Sequence, residues 1–142
     1  MNLSQRTRLL DAAERAQRNA HAPYSHYRVG AAVLTDGGKI YAGCNVENAS
    51  YGLTLCAERV AVGAALAAGA RQVRAAAVIA DGADMPYPCG ACRQVLAEFA
   101  ADNALVLVAR RGHLRQAEEF TLGALLPHAF RLGPARGSKV ET

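Results

Sequence analysis

The sequence predicts an α/β domain in which helices cover the faces of a β-sheet. Three observations lead to this prediction. The 142-residue chain is 51% hydrophobic and 20% charged, which fits one globular domain with a core of ordinary size. The turn sequence "DGG" separates two apolar runs near the N-terminus. After that hairpin, helical and strand-like segments alternate, which is typical of a sheet with helices packed on it.

The first half of the chain is predicted to hold two helices and the hairpin. Apolar residues recur at steps of three and four over residues 4–20, which indicates an amphipathic helix that Pro23 ends. "YRVGAAVLT" (27–35) and "KIYAGCNVE" (39–47) are predicted to be the antiparallel strands. The second helix is predicted from about Cys56 to Ala68, just before a glycine.

The second half continues the alternation. "VRAAAVIA" (73–80) and "ALVLVA" (104–109) are predicted to be buried strands, and "CGACRQVLAEFA" (89–100) between them is predicted to be a helix. "TLGALLPHAF" (121–130) predicts a short helix that a threonine caps and Pro127 closes.

Residues 1–130 are predicted to form a single domain, followed by a loose tail over 131–142. We expect a cytoplasmic protein without membrane contact, because the apolar runs are short and the N-terminal segment lacks a signal-peptide core. The formal net charge of +4 leaves nucleic acid open as a partner. The arginines are scattered and tryptophan is absent, so we expect a solvated basic surface and no nucleic-acid partner.

The cysteines carry the strongest chemical signal. Cys89 and Cys92 lie on the first turn of a predicted helix, in "PCGACRQ", and Cys56 lies where a loop gives way to another helix. Free N–H groups and the helix dipole at such positions favour thiolates. Thiolates select zinc, and three protein ligands leave one tetrahedral position for water. The sequence therefore predicts a zinc site, either catalytic with three ligands or structural with Cys44 as the fourth.

Glu58 favours the catalytic alternative. It follows Cys56 by two residues, in "CAER", so its carboxylate can stand beside a metal-bound water without itself binding the metal. A purely structural site has no use for such a carboxylate.

The two cysteine motifs closely resemble the zinc motif pair of the cytidine deaminase family, in its short, homotetrameric form. "APYSHYRVGAAVLT", "GCNVENASYG" and "LLPHAF" extend the resemblance over about residues 22–130. The resemblance implies a three-layer α/β/α fold with a mixed five-stranded sheet and helices on both faces. It also implies a homotetramer in which neighbouring subunits complete each active site.

The same resemblance implies that Cys56, Cys89 and Cys92 bind one Zn²⁺ per subunit and that Glu58 shuttles protons. The implied reaction is hydrolytic deamination of cytidine and 2′-deoxycytidine to uridine and 2′-deoxyuridine, with release of ammonia, in pyrimidine salvage. Water activated by zinc would attack carbon 4 of the cytosine ring.

Three thiolates would leave the zinc site with a net negative charge. The resemblance favours Arg59 as the group that donates to the cysteine sulfurs and offsets this charge. For Arg93, such a role and an ordinary structural salt bridge are equally compatible with the sequence. Cys44 is expected to be a buried small hydrophobic residue, since the resemblance completes the zinc site without it.

Substrate binding is predicted for "NVEN". Asn45 and Glu47 alternate at the end of a predicted strand, and an amide with a carboxylate can hold vicinal sugar hydroxyls. The resemblance assigns both residues to the ribose, and the carboxylate disfavours a phosphate there. The other substrate-binding residues that the resemblance implies are Tyr27, Ala57, Tyr51 and Phe130.

Three of these residues are aromatic. Tyr27 stands where the family commonly has phenylalanine near the pyrimidine, and its added hydroxyl needs a partner. Phe130 is implied to lie over the base of a neighbouring subunit, and Tyr51 to be another inter-subunit residue. Plain core packing is the alternative for each.

Two other functions stay open. The first is deamination of a modified aminopyrimidine nucleoside, such as blasticidin S, or of a base within RNA or DNA. The second is a structural zinc or interaction module, which predicts that Cys44 binds the metal and that Glu58→Gln changes no activity.

Overall fold

A mixed five-stranded β-sheet forms the centre of the protein. The computed structural model describes residues 1–132. The strands lie in the order β2-β1-β3-β4-β5; β3 and β4 are parallel, and all other neighbours are antiparallel. Their bounds are β1 (Val29–Thr35), β2 (Ile40–Cys44), β3 (Val73–Ala80), β4 (Leu105–Arg110) and β5 (Glu118–Thr121).

Helices cover both faces of this sheet. In the described part of the chain they are α1 (Leu3–Gln17), α2 (Ala57–Ala67), α3 (Gly90–Phe99) and α4 (Leu122–Leu125). Helix α1 packs on one face, and the buried residues of α2, α3 and α4 share a core on the other. The predicted three-layer α/β/α fold is therefore confirmed.

Side chains of the central strand β1 alternate between the two cores, as the pleat of a strand requires. Ala31 and Val33 belong to the core beneath α2 and α3, whereas Ala32 and Leu34 belong to the core beneath α1. Strand β1 is buried on both faces, so its sequence is a continuous apolar run.

The register of the sheet places the start of β1 and the ends of β2 and β3 at the same end of the sheet. Val29, the first residue of β1, pairs with Ala80, the last residue of β3. Gly30 pairs with Cys44, the last residue of β2. Helix α3 connects β3 to the parallel strand β4. The loop after β3 therefore leads from this end of the sheet to the start of α3.

Two elements end three residues before their predicted ends, and one strand was not located from the sequence. Helix α1 ends at Gln17, three residues before the predicted end, and Arg18 is its C-cap. Strand β2 ends at Cys44, because the chain then turns so that Val46 pairs with Leu55 in an isolated bridge. Strand β5 was not located from its residues, since it is short and mostly exposed and lacks an apolar alternation.

Some contacts extend past residue 130. The Arg131 guanidinium donates to the carbonyl oxygens of Ala97 and Ala100 and pairs with Asp102 at 3.0 Å. The rest of the predicted tail, residues 133–142, lies outside the described residues. Over residues 1–132, the structure contains no helix with the length and apolar character needed to cross a membrane.

Glycines let both helical layers approach the sheet closely. A Cβ atom on Gly30 of β1 would lie 2.0 Å from the Ala13 carbonyl oxygen of α1. A Cβ atom on Gly43 of β2 would lie 2.6 Å from the Ala61 backbone nitrogen of α2. Both neighbours are backbone atoms, so neither can turn away without moving its helix.

Gly30→Ala tests this close packing. We expect the free energy of unfolding to fall by about 3 kcal/mol, because α1 must shift to admit the methyl group. Urea denaturation measures the change. Gly37→Ala is the control, since a Cβ there meets only the Thr35 hydroxyl oxygen, at 3.9 Å. Equal losses in both variants would contradict the proposed tight contact.

Candidate metal centre and active site

Three cysteine thiols meet where α2 and α3 begin. Cys56 is the N-cap of α2, Cys89 is the N-cap of α3, and Cys92 lies in the first turn of α3. Their Sγ atoms all lie within 4.8 Å of one another, and those of Cys89 and Cys92 are 3.5 Å apart. Neither N-cap thiol caps its own helix by a hydrogen bond, so both remain able to bind a metal.

The thiol cluster suits a zinc ion in chemistry and in spacing. Zinc bonds thiolates at about 2.3 Å, so tetrahedral ligands lie roughly 3.8 Å apart, which the cluster can adopt with small movements. Burial raises the pKa of the Cys92 thiol, and the Glu58 carboxylate raises it further. A cation among the sulfurs would stabilise thiolates that burial disfavours. Three such ligands leave one position on a tetrahedral zinc.

The Cys89 thiol differs from its neighbour in the same turn. Burial acts to raise its pKa, but hydrogen bonds from the Cys92 backbone and with the thiols of Cys92 and Cys56 outweigh burial. The net pKa of Cys89 is therefore lowered. A lowered pKa favours the thiolate form of Cys89.

Cys44 does not belong to this cluster. It is the half-buried last residue of β2, and burial raises the pKa of its thiol. Among the described residues, the metal-ligand group that contains cysteines holds Cys56, Cys89 and Cys92 only. The geometry therefore gives no support to the structural four-cysteine alternative.

Glu58 lies in the first turn of α2, directly beside the thiols. Only 5% of its surface is exposed. Burial raises the pKa of its carboxyl group, against the opposing effects of hydrogen bonds to its own backbone and to Cys92 and of the Arg59 charge. A carboxyl group whose pKa is raised towards neutrality is suited to accept and return a proton.

Arg59 stands between the start of α2 and the loop before it. Its Nη2 atom donates to the Thr54 carbonyl oxygen at 3.0 Å and lies 3.6 Å from the Cys56 sulfur. Its Nε atom is buried without a hydrogen-bond partner among residues 1–132. The guanidinium therefore places a positive charge against one sulfur of the cluster.

Arg93 has neither of the two roles considered from the sequence. It donates to the carbonyl oxygens of Pro88 and Leu125, each at 2.7 Å. In the described part of the chain it forms no salt bridge. Arg93 instead ties the loop before α3 to the end of α4.

A cavity of about 220 Å³ opens beside the thiols. The three cysteines and Glu58 line it together with Tyr27, Asn45 and Ala57, which the sequence also predicted. Sequence reasoning missed Tyr87, which forms another part of the wall. Its hydroxyl donates to Glu118 Oε1 at 2.8 Å, and its ring lies edge-on to Phe120. The position of Tyr87 two residues before Cys89 was the available signal.

Asn45 and Glu47 do not lie on a strand, because β2 ends before them. The Asn45 side chain donates to the Tyr27 carbonyl oxygen at 2.8 Å and accepts from the Val29 N–H at 2.9 Å. It thus lines the cavity while it fixes the start of β1.

Glu47 faces a second cavity, of about 370 Å³, which Tyr24, Ser25, Tyr51 and Thr54 also line. Thr54 lines both cavities, so the two adjoin. The Ser25 hydroxyl and the backbone N–H groups of Ser25 and Tyr24 donate to the Glu47 carboxylate. These hydrogen bonds lower the pKa of Glu47, and the bond from the Ser25 hydroxyl has the largest effect. The lowered pKa keeps the carboxylate ionised.

Tyr51 and Phe130 are exposed, by 73% and 69%. Tyr51 lies in a 3₁₀ turn, with its ring edge-on to Tyr24. Phe130 lies outside the cavity beside the thiols, and its carbonyl oxygen accepts from the Gln94 side chain. Core packing therefore does not explain either residue.

Comparison with known proteins gives a consistent result. The family model described as the cytidine and deoxycytidylate deaminase zinc-binding region matches residues 3–109. Cytidine deaminase from Sporosarcina psychrophila is 44% identical over 124 residues, which cover 87% of this chain and 89% of that protein. Cytidine deaminase from Halalkalibacterium halodurans is 47% identical over 126 residues, which cover 88% and 93%.

The fold is similar to that of a solved structure. The crystal structure of cytidine deaminase from Burkholderia pseudomallei superimposes with a TM-score of 0.82 at 44% sequence identity. The match covers 92% of this chain and 100% of that one. The family match spans well over half of the chain, and the relatives match along nearly their whole length. The chain therefore belongs to the cytidine and deoxycytidylate deaminase family, a family of zinc-binding hydrolases.

Proposed function

We propose that this enzyme hydrolyses cytidine and 2′-deoxycytidine to uridine and 2′-deoxyuridine, with release of ammonia. One observation carries the proposal: a buried carboxyl group, Glu58, lies beside three clustered thiols on the wall of a cavity. The family match and the named relatives support cytosine nucleosides as substrates.

In this proposal Cys56, Cys89 and Cys92 hold one zinc ion per subunit, and Arg59 offsets the charge of the thiolates. Bound zinc supplies Lewis acidity, which makes water a nucleophile at neutral pH. The dipoles of α2 and α3, whose first turns carry the sulfurs, also stabilise thiolate charge.

Glu58 acts as the general base and acid. Its carboxylate accepts the proton of the attacking water and passes it to ring nitrogen 3 of cytosine. The same carboxyl group then carries the proton of the new hydroxyl group on carbon 4 to the amino group, which leaves as ammonia while the carbonyl group of uridine forms. Burial supports both roles, because it raises the pKa of Glu58 and so weakens its preference for the ionised form.

The two adjoining cavities provide room for the base and the sugar. Tyr27, Asn45 and Ala57 line the cavity beside the thiols, which we assign to the pyrimidine ring and the adjacent ribose. Glu47 lines the adjoining cavity and is assigned to the ribose. Its negative charge disfavours a phosphate group nearby, so nucleosides are proposed as substrates, as in cytoplasmic pyrimidine salvage.

The same proposal includes a homotetramer in which neighbouring subunits complete each site. The exposure of Tyr51 and Phe130 supports this part, because large exposed aromatic side chains are typical of surfaces that another chain covers. Phe130 is assigned to the base-binding cavity of a neighbouring subunit.

Glu58→Gln tests the catalytic assignment. We expect kcat/KM for cytidine to fall by about 10³-fold, because the amide cannot carry the proton, while the zinc content stays at one ion per subunit. The loss of cytidine absorbance in the ultraviolet measures the activity, and mass spectrometry of the metal measures zinc. Glu98→Gln, an exposed position on α3, is the matched control and should retain full activity.

The same assay separates the other outcomes. Cys92→Ser is expected to lose zinc, whereas Cys44→Ser is expected to keep it. If the zinc-loaded wild-type protein leaves cytidine unchanged, the substrate proposal is wrong, and modified nucleosides and oligonucleotides become the next substrates to assay. If Glu58→Gln remains fully active, its role as proton carrier is wrong.

Mixed oligomers test whether subunits share active sites. Glu58→Gln removes the proton carrier, and Phe130→Ala removes the ring proposed to reach a neighbouring site. Co-expression of the two variants, each with its own affinity tag, should give hetero-oligomers more active than either variant alone. Their active sites would combine Glu58 from one subunit with Phe130 from its neighbour. Activity no greater than the average of the two variants would contradict shared sites.

A further inference from the structure

The segment that carries Tyr27 connects α1 to β1 without a helix or strand, and both backbone and side-chain hydrogen bonds hold it. The Glu47 carboxylate binds this segment at three groups. One oxygen, Oε1, accepts from the backbone N–H of Tyr24 at 3.0 Å and from that of Ser25 at 3.1 Å. The other oxygen, Oε2, accepts from the Ser25 hydroxyl.

The Ser25 hydroxyl extends this contact to Tyr27. Its Oγ atom accepts a hydrogen bond from the Tyr27 backbone N–H at 3.0 Å. A hydroxyl has one hydrogen to donate and lone pairs to accept. The Ser25 hydroxyl donates to the Glu47 carboxylate and accepts from the Tyr27 N–H, so it links Glu47 to a backbone group that the carboxylate does not itself bind.

His26, between the two bonded residues, has a left-handed backbone with φ of 58°. A non-glycine residue adopts this conformation when its surroundings hold it there. The His26 N–H donates to the Ala22 carbonyl oxygen at 3.0 Å, and the Ser25 bridge spans the turn from Glu47 to Tyr27. Without the bridge, the turn loses one of the contacts that select this backbone shape.

The carbonyl group of Tyr27 also forms a hydrogen bond. The Asn45 amide donates to its carbonyl oxygen at 2.8 Å. Ser25 therefore binds the N–H of Tyr27, and Asn45 binds its C=O. These two contacts fix the backbone of Tyr27, whose side chain lines the cavity beside the thiols.

We propose that Ser25 is a positioning residue that links Glu47, in the sugar cavity, to Tyr27, in the base cavity. Ser25 acts through the backbone of Tyr27 and need not contact the base. This inference rests on the proposed function and adds a determinant of base binding that lies outside the base cavity. It predicts that loss of the hydroxyl weakens binding of the base even when the sugar offers Glu47 no hydroxyl.

Ser25→Ala is the test, with cytidine and 2′,3′-dideoxycytidine as the two substrates. We expect KM for cytidine to rise about 5- to 10-fold and kcat to change less than about twofold, because Glu58 and the thiols are untouched. The decrease in kcat/KM should be similar for dideoxycytidine, which lacks the vicinal hydroxyls. Ser25→Thr, which keeps the hydroxyl, should restore most of the loss. Ser4→Ala, on the exposed side of α1, is the control and should leave both substrates unaffected.

A double-mutant cycle adds a second readout. If Ser25 acts through Tyr27, adding Ser25→Ala to Tyr27→Ala should lower kcat/KM by less than twofold. If Ser25→Ala fails to fold, as judged by its thermal midpoint, Ser25→Cys keeps a weak donor and acceptor and should give an intermediate loss.

Each remaining outcome identifies what is wrong. A loss with cytidine but none with dideoxycytidine would mean that Ser25 only orients Glu47 for the sugar, which overturns the link to Tyr27. Unchanged kinetics in Ser25→Ala would also overturn it. An inactive wild-type enzyme would instead overturn the proposed function itself, so the two failures are distinguishable.

Discussion

The arrangement of the candidate site depends on the antiparallel pairing of β1 with β3. This pairing brings the start of β1 to the end of β3, and the hairpin places the end of β2 at the same end of the sheet. The cavity is lined from both sides of this junction, by Val29 and Asn45 at the hairpin and by Val78 near the end of β3. The starts of α2 and α3 meet there, so cysteines 33 positions apart in sequence become neighbours. A shift in this register would move the thiols, the Glu58 carboxyl group and the cavity away from one another.

Burial of this junction has opposite effects on different groups. It raises the pKa of Cys92 and of Glu58, so without a cation these two groups favour their protonated forms. Helix dipoles and the Arg59 guanidinium act in the other direction and favour negative charge on sulfur. This balance suits a zinc ion, whose two positive charges would offset the negative charge of thiolates at Cys56, Cys89 and Cys92. It also leaves Glu58 with a proton affinity that a solvent-exposed glutamate would lack.

The elements and residues with local sequence signals were the easiest to predict. The cysteine spacing, the hairpin turn and the short apolar runs are local signals, and they located four of the strands and the zinc ligand candidates. Strand β5 has no such signal, because pairing with β4 rather than its own pattern makes it a strand. The contacts of Glu47 were also out of reach, since they join it to Ser25, 22 positions earlier in sequence. Strand alternation placed Glu47 beside Asn45, but the chain leaves the sheet before either residue.

Asn45 and Glu47 hold the backbone and are also assigned to the sugar, and hydrogen-bond capacity allows both roles. A carboxylate offers about four lone-pair positions, and the loop uses three of those on Glu47, so one sugar hydroxyl can bind without releasing Ser25. The Asn45 amide has two N–H groups and donates one to the Tyr27 carbonyl oxygen, so the other is free to donate to the sugar. The groups that would recognise the sugar are therefore oriented before it arrives, and substrate binding need not pay again to order them. Because the same hydrogen bonds fix Tyr27, one connected network would set the positions of both the base and the sugar in the proposed function.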